Sequence, residues 1–200
     1  MHNPITFIKA VGAVFRSVSS LSDVLSLYRH RGVAGAIRAL CILLFLSSVL
    51  FPLSGCGRKE PPAVGVAPPK FTLPDLKGDK ITLPDDFTGK VVVLRFWIDS
   101  CKSCEKEMPE INQIYSKYKD RGLVVLAVNV GQSKSAAETF ATRLHLTYPV
   151  LLDTDSKVTG RYGVKAVPFT FVVDRKGMII KRILGETEKE SFEKMIQGLL

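Results

Sequence analysis

Short apolar blocks separated by polar turns run along most of the chain. Val91–Trp97 (VVVLRFW) has strand length and is rich in valine, the pattern of a strand covered on both faces. Leu123–Val130 is a second such block. Between them Met108, Ile111, Ile114, Tyr115 and Tyr118 recur mainly at helical spacing, which predicts an amphipathic helix over Glu105–Lys119 that ends near Gly122. Ser133–Leu144 is predicted as a second helix, with Ala137, Phe140, Ala141 and Leu144 on one face. Tyr148–Leu152 is short and apolar, and a helical turn follows around Asp155–Tyr162. Phe169–Val173 and Met178–Leu184 are strands joined by the turn signal Asp174–Gly177, and Thr187–Leu200 closes the chain as a helix with Phe192, Met195, Ile196 and Leu199 inward. Upstream, two alternating segments within Phe71–Pro84 flank Lys77–Lys80 and predict an additional N-terminal β-hairpin. The alternation of strands and helices, ending in a hairpin and a helix, implies a three-layer α/β domain over residues 70–200, with a mixed central sheet flanked by helices.

The first 55 residues have a different character. Ala39–Leu53 is apolar throughout, too short for a spanning helix of about 20 residues but suited to the core of a secretory signal. Arg29, Arg31 and Arg38 precede it, and it runs into Leu53-Ser54-Gly55-Cys56, which resembles the lipobox of bacterial lipoproteins. Small residues there let a signal peptidase grip extended backbone around the bond to be cut. The expected organisation is a signal sequence over 1–55, lipid on Cys56, and a Pro- and Gly-rich flexible linker over 56–69. An anchor ending in an unmodified cysteine is the alternative. Signal peptides usually run about 15–30 residues, so the pattern also predicts a translation start downstream of Met1.

Charge changes this picture little. The chain carries a net +9, and removal of the five basic residues and one acid before Cys56 leaves +5. No basic block with interleaved aromatics and no zinc-finger or helix-turn-helix spacing accompanies it, which argues against nucleic-acid binding.

Cysteine usage changes it a great deal. Of four cysteines, Cys41 lies in the signal and Cys56 is the lipidation site, which leaves Cys101 and Cys104 as the only thiols of the exported chain. Two cysteines so close build no structural disulfide framework, because closing so small a loop constrains the unfolded chain little. They sit where a buried strand meets a helix. Unpaired N–H groups at that helix start favour a thiolate on Cys101, so Cys101 is the expected nucleophile and Cys104 the resolving thiol one turn further in. Lys102, Glu105, Lys106 and Glu107 surround the pair with charge, unlike the setting of inert buried thiols. A zinc site needs two further ligands, and His145 stands alone once His2 and His30 leave with the signal, so no metal and no cofactor is expected.

Phe96-Trp97, Cys101-Lys-Ser-Cys104, Glu107-Met108-Pro109 and Tyr162–Pro168 followed by Phe169–Gly177 together resemble the TlpA/ResA-like thiol-disulfide oxidoreductases of thioredoxin fold. The resemblance spans nearly the whole exported domain. It implies a thioredoxin-like sandwich, a cis Val167–Pro168 peptide facing the CxxC pair, a redox disulfide Cys101–Cys104, and a helix kinked at Pro109. It also implies a membrane-tethered protein outside the cytoplasm that reduces disulfides of exported partners, apocytochrome c among them, and is itself re-reduced by a membrane electron donor. Glu107 is then expected to help control thiol protonation, or else to be a solvated glutamate in the first helical turn. Trp97 is active-site floor or plain core. Three positions depart from the family pattern: Ser100 where many relatives have Trp, Val167 where Thr is commoner, and Arg95 where thioredoxins have Asp and many relatives Asn. Arg95 either stands near the thiols or extends to solvent. Gly57 after the lipidated cysteine leans toward outer-membrane sorting, with inner-membrane retention open. Two other classes stand as alternatives. A peroxiredoxin-like peroxidase would need Pro-x-x-x-Thr-x-x-Cys, which is missing around Cys101, and a copper-delivery module of the same fold would carry CxxxC with a distal His.

Overall fold

The computed structural model of the protein describes residues 60–200. The expected signal sequence and Cys56 therefore lie outside the described residues. The domain is built from β1 (Phe71–Pro74), β2 (Lys80–Leu83), β3 (Val91–Trp97), α1 (Lys102–Tyr118), β4 (Leu123–Val130), α2 (Lys134–Arg143), β5 (Val150–Asp153), α3 (Lys157–Arg161), β6 (Phe169–Val173), β7 (Ile179–Leu184) and α4 (Lys189–Gln197). β1 and β2 pair antiparallel as the expected hairpin, whose turn is held by Asp75 accepting the N–H groups of Lys77 and Asp79.

The main sheet has five strands in the order β5-β4-β3-β6-β7. β3 lies at its centre, parallel to β4 and antiparallel to β6. Every residue of β3 is buried, which explains its uninterrupted apolar run. Side chains alternate between faces. Val91, Val93 and Trp97 pack with residues of α1, α2 and α4, while Val92, Leu94 and Phe96 pack with the hairpin, α3 and Tyr162. The central sheet is thus sandwiched between a helical layer and a layer made of the hairpin and the short α3, the thioredoxin-like mixed arrangement expected.

Several boundaries shift for identifiable reasons. α1 begins three residues earlier than its apolar period predicts because Cys101 caps it. Pro109 lies inside α1 without ending it. Gly122, at φ 100°, terminates the short 3-10 turn Lys119–Arg121 that follows α1, a left-handed conformation that glycine adopts without penalty.

The described part of the linker departs from the expectation of a flexible tether. Gly65 N–H donates to the Ile179 carbonyl at 2.7 Å, Ile179 N–H to the Val66 carbonyl at 2.9 Å, and Arg182 Nη1 to the carbonyls of Pro61 and Pro62 at 3.0 and 3.3 Å. Pro68 is buried, and Tyr162 donates its hydroxyl to the Pro69 carbonyl at 2.7 Å. β7 is an edge strand whose outward backbone groups need partners, and Gly65 and Val66 supply them at Ile179.

Candidate active site

The site forms at one end of the sheet, where β3 runs into α1 and the chain enters β6. Phe96 pairs with Phe169 and Trp97 with Asn129, so the β3–α1 loop, the end of β4 and Pro168 all lie at that end. Val167–Pro168 is a cis peptide, as expected; Leu83–Pro84 is a second one that the sequence did not suggest. Pro168 is buried and its carbonyl accepts from Gly185 N–H at 2.9 Å, while Val167 is half-buried against both sides of the core.

Cys101 and Cys104 are joined as a disulfide with Cα atoms 5.2 Å apart. Cys101 is the N-cap of α1, in extended conformation, and its Sγ accepts the Cys104 N–H at 3.1 Å. The sulfur thus occupies the place that a Ser or Asp oxygen takes in an ordinary cap, where backbone donors favour negative charge. The two sulfurs differ sharply in access: Cys101 is half-buried, and Cys104 is fully buried in the core. A partner therefore meets Cys101 first, as an exchange reaction that begins at the accessible sulfur requires.

The loop leading to Cys101 is fixed by residues that sequence reasoning missed. Gln132 accepts Asp99 N–H at 2.9 Å, donates Nε2 to Asp99 Oδ1 at 2.5 Å, and accepts from Asn129 Nδ2 at 2.7 Å. A signal existed: β3 and β4 are both long apolar runs, and residues just beyond the carboxyl ends of adjacent parallel strands converge on one crevice. Ser100 is exposed and opens onto a cleft of about 590 Å³ shared with Asp99, Ser133, Thr139, Phe140 and Arg143. Lys102 is exposed beside it. Ser103 donates its hydroxyl to Glu186 at 2.6 Å; that hydrogen bond, and then the charge of Lys106, hold the Glu186 carboxyl below the usual carboxylate range.

Trp97 is fully buried and stacks on Phe140 with ring centroids 4.7 Å apart, which places it in the core on the helical face of the sheet. Arg95 and Glu107 settle differently from the solvent-facing alternatives. Arg95 is 2% exposed and Glu107 4%. Arg95 Nη2 contacts Glu107 Oε2 at 2.5 Å, Arg95 Nη1 donates to Thr170 Oγ1 at 3.0 Å, and Thr187 N–H donates to Glu107 Oε1 at 2.6 Å. Arg95 Nε has no partner among the described residues. Close by, burial pushes the Tyr148 phenol well above its ordinary value, with the Arg95 charge opposing that shift.

Comparison with known proteins agrees with this geometry. The model of the AhpC/TSA family matches residues 64–182. The chain is 36% identical over 164 residues to the thiol-disulfide oxidoreductase ResA of Bacillus cereus, covering 81% of this chain and 94% of that one. It is 42% identical over 137 residues to ResA of Geobacillus kaustophilus, covering 68% and 78%. A crystal structure of a putative thiol:disulfide interchange protein DsbE from Chlorobium tepidum superposes with a TM-score of 0.64 at 33% identity, covering 68% of this chain and 97% of that one. A sheet end that presents one accessible and one buried cysteine from the same helical turn is what such exchange chemistry requires, and the chain belongs to the AhpC/TSA family as a ResA-like thiol-disulfide oxidoreductase.

Proposed function

We propose that the protein is a lipid-anchored, extracytoplasmic reductase of partner-protein disulfides, of the kind that serves cytochrome c maturation. The observation that carries the direction of attack is the contrast between Cys101, accessible at the helix cap, and Cys104, fully buried behind it. In the reduced protein the Cys101 thiolate attacks one sulfur of a partner disulfide, and the partner's other sulfur leaves as a thiolate that takes up a proton. Cys104 then loses its proton and attacks Cys101 Sγ. The partner's second thiol is released, and the Cys101–Cys104 disulfide closes. Two electrons have passed to the partner, and a membrane dithiol donor returns the pair to its reduced form. Cis Pro168, with Val167 beside it, walls the end of the sheet where the mixed disulfide forms, and Glu107, one turn beyond Cys104 and paired with Arg95, gives the thiols a constant electrostatic setting.

Lipid on Cys56, after cleavage of residues 1–55, supplies the anchor. Because residues 61–69 lie along the domain, only a few residues separate the anchor from the fold, which keeps the domain close to the membrane. The apocytochrome is the substrate that the family resemblance favours, and exported proteins with accessible disulfides form the wider class.

The midpoint potential of the Cys101–Cys104 couple against glutathione tests this reading. A potential as reducing as that of thioredoxin, about −270 mV, is expected; a value near the oxidising extreme of about −120 mV rejects a reductase. Mass analysis of the membrane-bound protein tests the anchor, with a lipid-modified N-terminal peptide beginning at Cys56 expected and an intact leader refuting it. The peroxidase alternative gains nothing from the region around Cys101, where Leu94 and Ile98 occupy the positions that a peroxidatic motif gives to Pro and Thr.

A further inference from the structure

Arg95 stands in β3 on the face covered by α1, directly across the sheet from Thr170. Glu107 lies three residues after Cys104, so the two share a helix face. Each oxygen of the Glu107 carboxylate is engaged: Oε2 with the Arg95 guanidinium and Oε1 with the Thr187 N–H. Arg95 is itself pinned by Thr170. The space touching both side chains amounts to about 10 Å³, room for at most one water, and Glu107 also borders the open cleft outside. With Arg95 2% and Glu107 4% exposed, neither charge is well hydrated, so each is balanced chiefly by the other.

Without its cation, a carboxylate this buried would bind a proton readily. It would then change charge one turn from a thiol that must itself lose a proton during exchange. We propose that Arg95 is a positioning residue for disulfide exchange, one that holds Glu107 ionised and fixed so that Cys104 faces a constant, neutral ion pair. On this basis the couple trades its protons with solvent and partner, and Glu107 carries none. The inference rests on Cys101–Cys104 being the exchanging pair.

Among the described residues no neighbouring group substitutes for Arg95. On the small cavity, Glu110 has the wrong sign and Lys189 commits its ammonium to Gln113 Oε1 at 2.6 Å. Lys106, Glu186, Glu188 and Glu190 line the open cleft outside, where water screens them. Tyr148, from the segment before β5, is buried with its phenol pushed well up and is uncharged at working pH.

The test follows the midpoint potential and the ultraviolet thiolate absorbance as functions of pH in the wild-type protein, Arg95→Lys, Arg95→Met and Arg95→Met/Glu107→Gln. Wild type and Arg95→Lys are expected to show thiol titration alone. Arg95→Met should add an inflection of one proton between about pH 5 and 8, as its stranded carboxyl binds a proton, and the double variant should lose it again. An Arg95→Met profile that matches wild type at every pH overturns the proposal, because a merely structural arginine would leave the proton count unchanged. If Arg95→Met does not fold, the wild-type protein labelled with 13C at glutamate carboxyls decides: a Glu107 resonance constant over the same pH range supports the proposal, and a titrating one overturns it. Absence of reductase activity in a protein with these profiles would reject the functional reading while leaving this one standing.

Discussion

The buried ion pair makes a quantitative claim about stability, separate from its effect on the thiols. Glu107→Gln takes the counter-charge from a guanidinium that is 2% exposed and otherwise held by Thr170 alone. Arg95→Met leaves a carboxyl that is 4% exposed, whose remaining donor is the Thr187 N–H. Breaking one side of a buried pair typically costs about 3–5 kcal/mol, because the survivor stays desolvated without compensation. Replacing both is far milder: methionine fills much of the arginine's volume, the glutamine carbonyl still accepts from Thr187, and such swaps are often neutral within about 1 kcal/mol. The double variant should therefore be more stable than either single variant, with a coupling energy of about 3 kcal/mol or more. Urea unfolding of the oxidised protein, followed by the fluorescence of its single tryptophan, Trp97, measures all four stabilities on one scale. Additivity of the two single variants within about 0.5 kcal/mol would refute the claim that each charge exists to balance the other.

Other consequences are more local. Cys104→Ser should trap partner proteins as mixed disulfides on Cys101, visible on non-reducing gels, whereas Cys101→Ser should trap none; equal trapping by both would reverse the assignment of attacking and resolving thiols. A chain lacking residues 60–66 exposes the β7 edge and loses two backbone hydrogen bonds at Ile179, worth about 1 kcal/mol each, so the Ile179 amide should exchange faster; unchanged protection would show that the strap contributes nothing. The Glu186 carboxyl is depressed by the Ser103 hydroxyl and then by Lys106, so their stabilising contribution is present above the ordinary carboxylate range and fades as pH falls through the depressed value. Ser103→Ala should move the Glu186 carboxyl titration upward in a 13C NMR experiment, and an unmoved titration would exclude Ser103 as the main cause.

What the sequence made legible follows from which physical signals are local. β3, β4, β5 and β6 announce themselves because apolar runs of strand length must be covered on both faces, β7 follows from the turn signal Asp174–Gly177, and Cys101–Cys104 announces itself as a closely spaced pair where a buried strand meets a helix. The strap departs from the expected flexible tether for a corresponding reason. Proline and glycine describe what residues 61–69 avoid, helix and sheet interior, but not that the β7 edge beside them lacks partners. Periodicity likewise buries position 95 without deciding whether an arginine's stem reaches water there.

That last ambiguity was open to a charge argument. An arginine in the middle of a fully covered strand survives only with a buried acid, and α1 offers Glu105, Glu107 and Glu110 near its start. The helical period places Cys104, Met108 and Ile111 on the covered face, and Glu107 is the acid that falls among them. The departure at Arg95 and the glutamate at Glu107 are therefore one feature. A substitution that puts a cation beneath the redox helix is tolerated because the helix already carries an anion on its covered face, and the same pairing takes that anion out of proton exchange with the thiols.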